Sequence, residues 1–168
     1  RMVIVGAGGV GGYFGARLAA AGEDVTFVAR GAHLAAMRDG GLKVLSSLGD
    51  LTVSPVRATD DASSLGHADL VMIATKLWST DESIESARPL MGPRSTIVSF
   101  QNGVQAEDKL IEAYGRERVL GGVANIAALI ESAVRSTFVD QYKPRLCTSF
   151  WLSSTGGGPL ATPLNDRR

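Results

Sequence analysis

MVIVGAGGVGG, Met2 to Gly12, sets a short apolar run directly against five glycines in seven residues. Met2–Val5 reads as a strand ending at Gly6. From Val10 the spacing turns helical, with Val10, Phe14 and Leu18 on one stripe and Gly22 closing the helix. Between the two lies Gly6-Ala7-Gly8-Gly9-Val10-Gly11, a G-x-G-x-x-G loop. The glycines differ in what they do. Gly6 permits the tight turn, Gly8 lets the backbone approach a pyrophosphate, and Gly11 lets helix and strand pack closely. The start of the helix then aims N–H groups and a positive dipole end at phosphate. Alone the hexapeptide is a weak signal. Held between a strand and an amphipathic helix within one βαβ unit, it predicts a dinucleotide site on Gly6, Ala7, Gly8, Gly9, Val10 and Gly11.

The next strand, Val25–Val28, decides which dinucleotide. An acid at its carboxyl end would accept the ribose hydroxyls of NAD, whereas an arginine suits the 2′-phosphate of NADP. Glu23 and Asp24 stand at the opposite end, and the carboxyl end carries Ala29-Arg30. A planar guanidinium grips phosphate through two hydrogen bonds, so Arg30 favours NADP over a role as a solvated surface residue.

Further along, strands and helices keep alternating. A short helix is expected over His33–Asp39 and short strands around a Gly-Asp turn over residues 42–58. Asp69–Thr75 reads as a strand buried on both faces of a parallel sheet, and Ser79–Leu90 as a helix. A strand over Thr96–Phe100, a helix over Gln105–Tyr114 and an apolar stretch over Val119–Ile130 complete the series. The pattern predicts an α/β fold: a doubly wound, Rossmann-like parallel sheet.

Ligands of such sheets bind beyond the carboxyl ends of the strands. Two polar spots fall there: Lys76 after the third long strand, and Asn102-Gly103 after the fourth. Lys76 offers a mobile cation and Asn102 both a donor and an acceptor, although a solvated lysine and a plain turn are the blander readings.

Bulk properties narrow the partners. Lys plus Arg and Asp plus Glu are 17 each, which gives no electrostatic case for nucleic acid or an anionic membrane. No apolar run approaches the ~20 residues of a membrane span. Cys147, the single cysteine, excludes an internal disulfide and fits a cytoplasmic setting. Histidines number two, and no cluster with metal-ligand spacing stands out.

VIVGAGGVGGYFGARLAAAG, VAR, DLVMIATK, SFQNGV and VLGGVANIAALIE, in that order between Met2 and about Ser132, resemble the N-terminal half of ketopantoate reductases, also called 2-dehydropantoate 2-reductases. The resemblance implies NADPH-dependent reduction of 2-dehydropantoate to pantoate, a step of pantothenate biosynthesis. Arg30 is then similar to the arginine on the adenosine 2′-phosphate. Lys76 and Asn102 match the lysine and asparagine lining the nicotinamide side. Ala128 corresponds to a small residue beside the nicotinamide. The family's proton-donating lysine and most of its substrate contacts belong to a helical second domain, so no catalytic residue is assigned here and the 168-residue chain alone is expected to be inactive.

The expected division is an NADP-binding domain over 1–132 and a divergent tail over 133–168, rich in Pro, Gly, Ser and Thr. That tail is expected to be irregular, and a shifted reading frame near Ala133 is one origin for it. Lys143 in the tail has no matching surroundings. Other readings stay open: a dinucleotide-binding fragment without activity, a reductase of another 2-oxo acid, or assembly as a homodimer. A nucleotide-sensing module of potassium-transport regulators shares the glycine loop, but it typically ends its second strand on an acid, which Arg30 is not.

Overall fold

The computed structural model describes residues 1–132, 135–138 and 151–153. Along the chain run β1 (Met2–Val5), α1 (Gly9–Ala20), β2 (Val25–Val28), α2 (Gly31–Gly40), β3 (Leu42–Leu45), β4 (Leu51–Val53), β5 (Ala58–Thr59) and β6 (Ala68–Ile73). Then follow α3 (Thr80–Ala87), β7 (Met91–Ser99), α4 (Gln105–Tyr114), β8 (Val119–Val123), β9 (Ala128–Ser132), β10 (Arg135–Phe138) and β11 (Trp151–Ser153).

The main sheet has the order β5-β2-β1-β6-β7-β8-β11. Its first six strands are parallel, and β11 adds antiparallel to β8. From β1 the chain winds outward through β2 to β5, and from β6 it winds the other way through β7 to β8. The direction of winding reverses between β1 and β6, which is the topological switch point of a doubly wound fold. Such strands must be apolar on both faces, and β1 shows it: Ile4 packs with Tyr13, Phe27 and Met37 on one side. Val3 and Val5 pack with Ile84, Leu90, Ile97 and Leu110 on the other.

Three differences from the sequence reading have physical causes. The strand expected from Thr96 begins at Met91, because Gly92-Pro93 sits at an irregularity in the β6–β7 ladder, where proline need not donate. Buried Ser95 ties this kink, accepting from the Gly92 N–H at 2.8 Å and donating to the Ala68 carbonyl. Second, the short strands of residues 42–58 divide. β5 joins the main sheet, while β3 and β4 enter a smaller sheet of order β4-β3-β10-β9, and α1 lies between the two sheets. Third, the stretch after 132, read as irregular, contributes β10 and β11. Each is four residues or fewer, too short for a period to show, and is fixed by its partners β3, β9 and β8. Lys143 and Cys147 lie outside the described residues. No helix among the described residues is long and apolar enough to cross a membrane.

Candidate functional site

The register of the main sheet brings four strand ends level. Val5 pairs with Val28 and with Ile73, and Ile73 pairs with Ser99. The residues that follow therefore emerge along one edge in the order Arg30, Gly6, Lys76, Asn102. Three strand spacings of ~4.8 Å separate the ends, roughly 14 Å. Arg30 and Asn102, 72 positions apart in the chain, thus share one edge.

Gly6 turns the chain off β1 at φ +99°, donating its N–H to the Val28 carbonyl at 3.1 Å. A Cβ there would stand 2.7 Å from Thr75 Cγ2. At Gly11 a Cβ would come within 2.0 Å of the Gly6 carbonyl oxygen, so helix and loop approach more closely than any side chain permits. Gly8 is different: a Cβ would meet nothing within 4 Å. The space beside it is open, as an approaching ligand needs. α1 starts there without a side-chain cap and without an acid in its first turn, leaving its positive end unopposed.

The loop forms one wall of a cleft of about 360 Å³. Gly6, Ala7 and Gly8 line it, as do Ala29 and Arg30 at the end of β2. Gly9, Val10 and Gly11 lie behind them in the first turn of α1. The facing wall is one side of α3, along which Ser79, just before the helix, and Glu82, Ser83 and Ser86 form one polar stripe. His33 of α2 donates from Nε2 to the Ala7 carbonyl at 2.7 Å, bracing the glycine loop. Thr75 and Ser83 share a hydrogen bond of 2.7 Å between hydroxyls, linking the end of β6 to α3. Across the cleft, Arg30 Nη1 donates to Glu82 Oε1.

Lys76 and Asn102 sit on the same edge but outside this cleft. The Lys76 carbonyl accepts from Gln101 Nε2 at 3.0 Å and from the Ser79 N–H at 2.9 Å, which pins the backbone. Its exposed ammonium has no partner among the described residues. Gln101 also donates to Thr75 Oγ1 at 3.2 Å and accepts from Thr80 Oγ1 at 3.1 Å, so it ties the loops after β6 and β7 together. Asn102 is exposed in the turn that Gly103 completes at φ +87°. Around this end Trp78 (84% exposed), Val104 (79%) and Val123 (66%) offer apolar surface. Ala128 opens β9 in the smaller sheet, and from that strand it is Ile130 that reaches the cleft.

His33, Thr75, Gln101 and the α3 stripe escaped the sequence reading. The stripe had a readable signal, since positions 79, 82, 83 and 86 follow helical spacing.

Comparison with known proteins places this arrangement. The model of the ketopantoate reductase PanE/ApbA family matches residues 2–144. A Bacillus subtilis protein described as the uncharacterised oxidoreductase YkpB is 36% identical over 132 residues, 79% of this chain and 43% of the relative. The 2-dehydropantoate 2-reductase of Pyrococcus abyssi is 39% identical over 132 residues, 79% of this chain and 42% of that protein. The crystal structure of 2-dehydropantoate 2-reductase from Geobacter metallireducens superposes with a TM-score of 0.78 at 34% identity, covering 82% of this chain and 46% of that one. The chain spans less than half the length of these relatives, over their N-terminal part. It belongs to the ketopantoate reductase PanE/ApbA family.

Proposed function

We propose that this chain is the cofactor-holding part of an NADPH-dependent reductase that converts 2-dehydropantoate to pantoate. The observation that carries the reading is the shared cleft: the glycine loop and Arg30 line one opening at the switch point of the sheet. The residues fit the group. Gly8 leaves open space for a pyrophosphate, and the uncapped start of α1 supplies N–H groups toward it. Arg30 immediately precedes α2, whose start has no side-chain cap and no acid in its first turn, so a 2′-phosphate would meet a guanidinium and a second positive helix end.

When bound, NADPH supplies the hydride. The chain's own residues orient it. Gln101 fixes the backbone of Lys76, and the mobile ammonium of Lys76 and the amide of Asn102 stand at the nicotinamide end. Ala128 belongs to the strand bordering the cleft. The apolar surface of Trp78, Val104 and Val123 suits a substrate-bearing domain closing over the nicotinamide. A cytoplasmic location accords with this cofactor and with the single cysteine.

Reducing a ketone also needs an acid within hydrogen-bond reach of the oxygen, and loss of a positioned donor costs ~10²–10⁴-fold. The expected result is that the purified 168-residue chain binds NADPH saturably, seen in its fluorescence, yet consumes it with 2-dehydropantoate no faster than buffer. Absence of NADPH binding would overturn the reading. Robust turnover would show that the acid lies within this chain.

A further inference from the structure

Among the described residues, the cleft proposed to hold the cofactor is lined by one arginine, and that arginine is already paired. Arg30 Nη1 donates to Glu82 Oε1, and the two side chains, each 60% exposed, span the opening from the end of β2 to the first turn of α3. Glu82 is the single carboxylate lining the cleft among the described residues; Asp24, at the far end of β2, is not part of it and pairs with Arg57 at 2.8 Å. The acid missing from the end of β2 is therefore supplied from across the cleft.

We propose that Glu82 is a cofactor-discriminating residue that lowers the preference for NADPH over NADH. This rests on the reading of Arg30 as the 2′-phosphate contact. To hold that phosphate, Arg30 must exchange a carboxylate for it, so part of the new attraction replaces an old one. Glu82 then stands beside a phosphate of its own sign, and like charges a few ångströms apart at a partly exposed site repel appreciably. NADH imposes neither cost. Its ribose carries hydroxyls where NADPH carries phosphate, and a carboxylate at the adenosine end accepts from such hydroxyls, which is how an acid at the end of β2 selects NAD in related folds. The pair thus acts as a counterweight: Arg30 draws the phosphate, Glu82 holds Arg30 back and keeps the ribose acceptable.

The test is Glu82→Gln, a neutral replacement of equal size at an exposed position, titrated calorimetrically with NADPH and with NADH at low salt beside the parent chain and Arg30→Ala. The expected result is NADPH affinity about three- to tenfold tighter, from an unopposed Arg30 and a removed repulsion. NADH affinity should stay unchanged or weaken, and the NADPH gain should shrink as salt is raised. In the Arg30→Ala background the gain should also be smaller. Unchanged or weakened NADPH binding in Glu82→Gln, or equal shifts for both cofactors, overturns the proposal. The two readings separate cleanly. If Arg30→Ala leaves NADPH affinity unaltered, the phosphate role of Arg30 has failed. If Arg30→Ala weakens NADPH while Glu82→Gln changes nothing, the role of Glu82 alone has failed.

Discussion

Gly8 leaves open space beside the backbone, where the proposed function puts the cofactor pyrophosphate. Unlike Gly6 and Gly11, whose added Cβ atoms would strike the protein itself, Gly8 faces open space. Its backbone is ordinary, φ −70°, so valine there would not strain the chain. The expected outcome for Gly8→Val is a folded protein, by circular dichroism, that has lost dinucleotide binding because the isopropyl group fills the approach to α1. Normal NADPH binding by that variant would place the site elsewhere. At this scale the sequence was informative where backbone geometry dictates residue type: Gly6 and Gly11 were legible because no side chain fits there, and the place of Arg30 at the end of β2 followed from the strand pattern. His33 and Gln101 were not. A histidine in a short helix and a glutamine in a turn carry no signal until the fold sets one against the Ala7 carbonyl and the other between Thr75, Lys76 and Thr80.

Helices here are tied to the sheet by contacts that make specific variants informative. Gly15 of α1 faces β1 and β2, and a Cβ there would stand 2.4 Å from both Ile4 Cδ1 and Phe27 Cε1. Alanine gains up to ~1 kcal/mol in a helix interior, but overpacking a dense core costs ~1–3 kcal/mol. Gly15→Ala should therefore lower unfolding free energy in urea, by about 1 to 2 kcal/mol; a gain would mean that α1 can lift off the sheet freely. At the other face, Tyr114 near the end of α4 donates its hydroxyl to the Ile84 carbonyl of α3. Burial, partly offset by Arg88, pushes this phenol up to about 12. Its folded value lies above the unfolded one of ~10, so its stabilising contribution is complete below about pH 10 and is lost as pH rises toward 12. The parent protein should lose on the order of 1 kcal/mol more stability over that window than Tyr114→Phe, once solvent screening of a half-exposed ring is allowed for. Identical pH profiles in urea titrations would count against the burial argument. Among elements, the βαβ alternation was readable because buried parallel strands such as DLVMIAT are continuous apolar runs. The smaller sheet was not, since it is assembled from short pieces far apart in sequence, and no local pattern reports which strand a short piece will join.

Across the whole molecule, the sheet order makes the site. Two windings that diverge from β1 and β6 leave a crevice at their carboxyl ends, and the level register of β2, β1, β6 and β7 sets Arg30, the glycine loop, Lys76 and Asn102 along it. The α/β class was legible from the alternation of elements. That Lys76 and Asn102 lie outside the cleft of the glycine loop, farther along the same edge, needed the three-dimensional arrangement, as did the pairing of Arg30 with Glu82. Membership of the ketopantoate reductase family fits this layout, and the central claim of the proposed function is that Arg30 at the adenosine end favours NADPH. Calorimetric titration of the parent chain and of Arg30→Ala with NADPH and with NADH tests that most directly. The predicted result is tighter binding of NADPH than NADH by the parent, a loss of about 1.5 to 3 kcal/mol for NADPH in Arg30→Ala, the scale of a hydrogen bond to a charged group, and nearly unchanged NADH binding. An equal loss for both cofactors, or none for either, would contradict it.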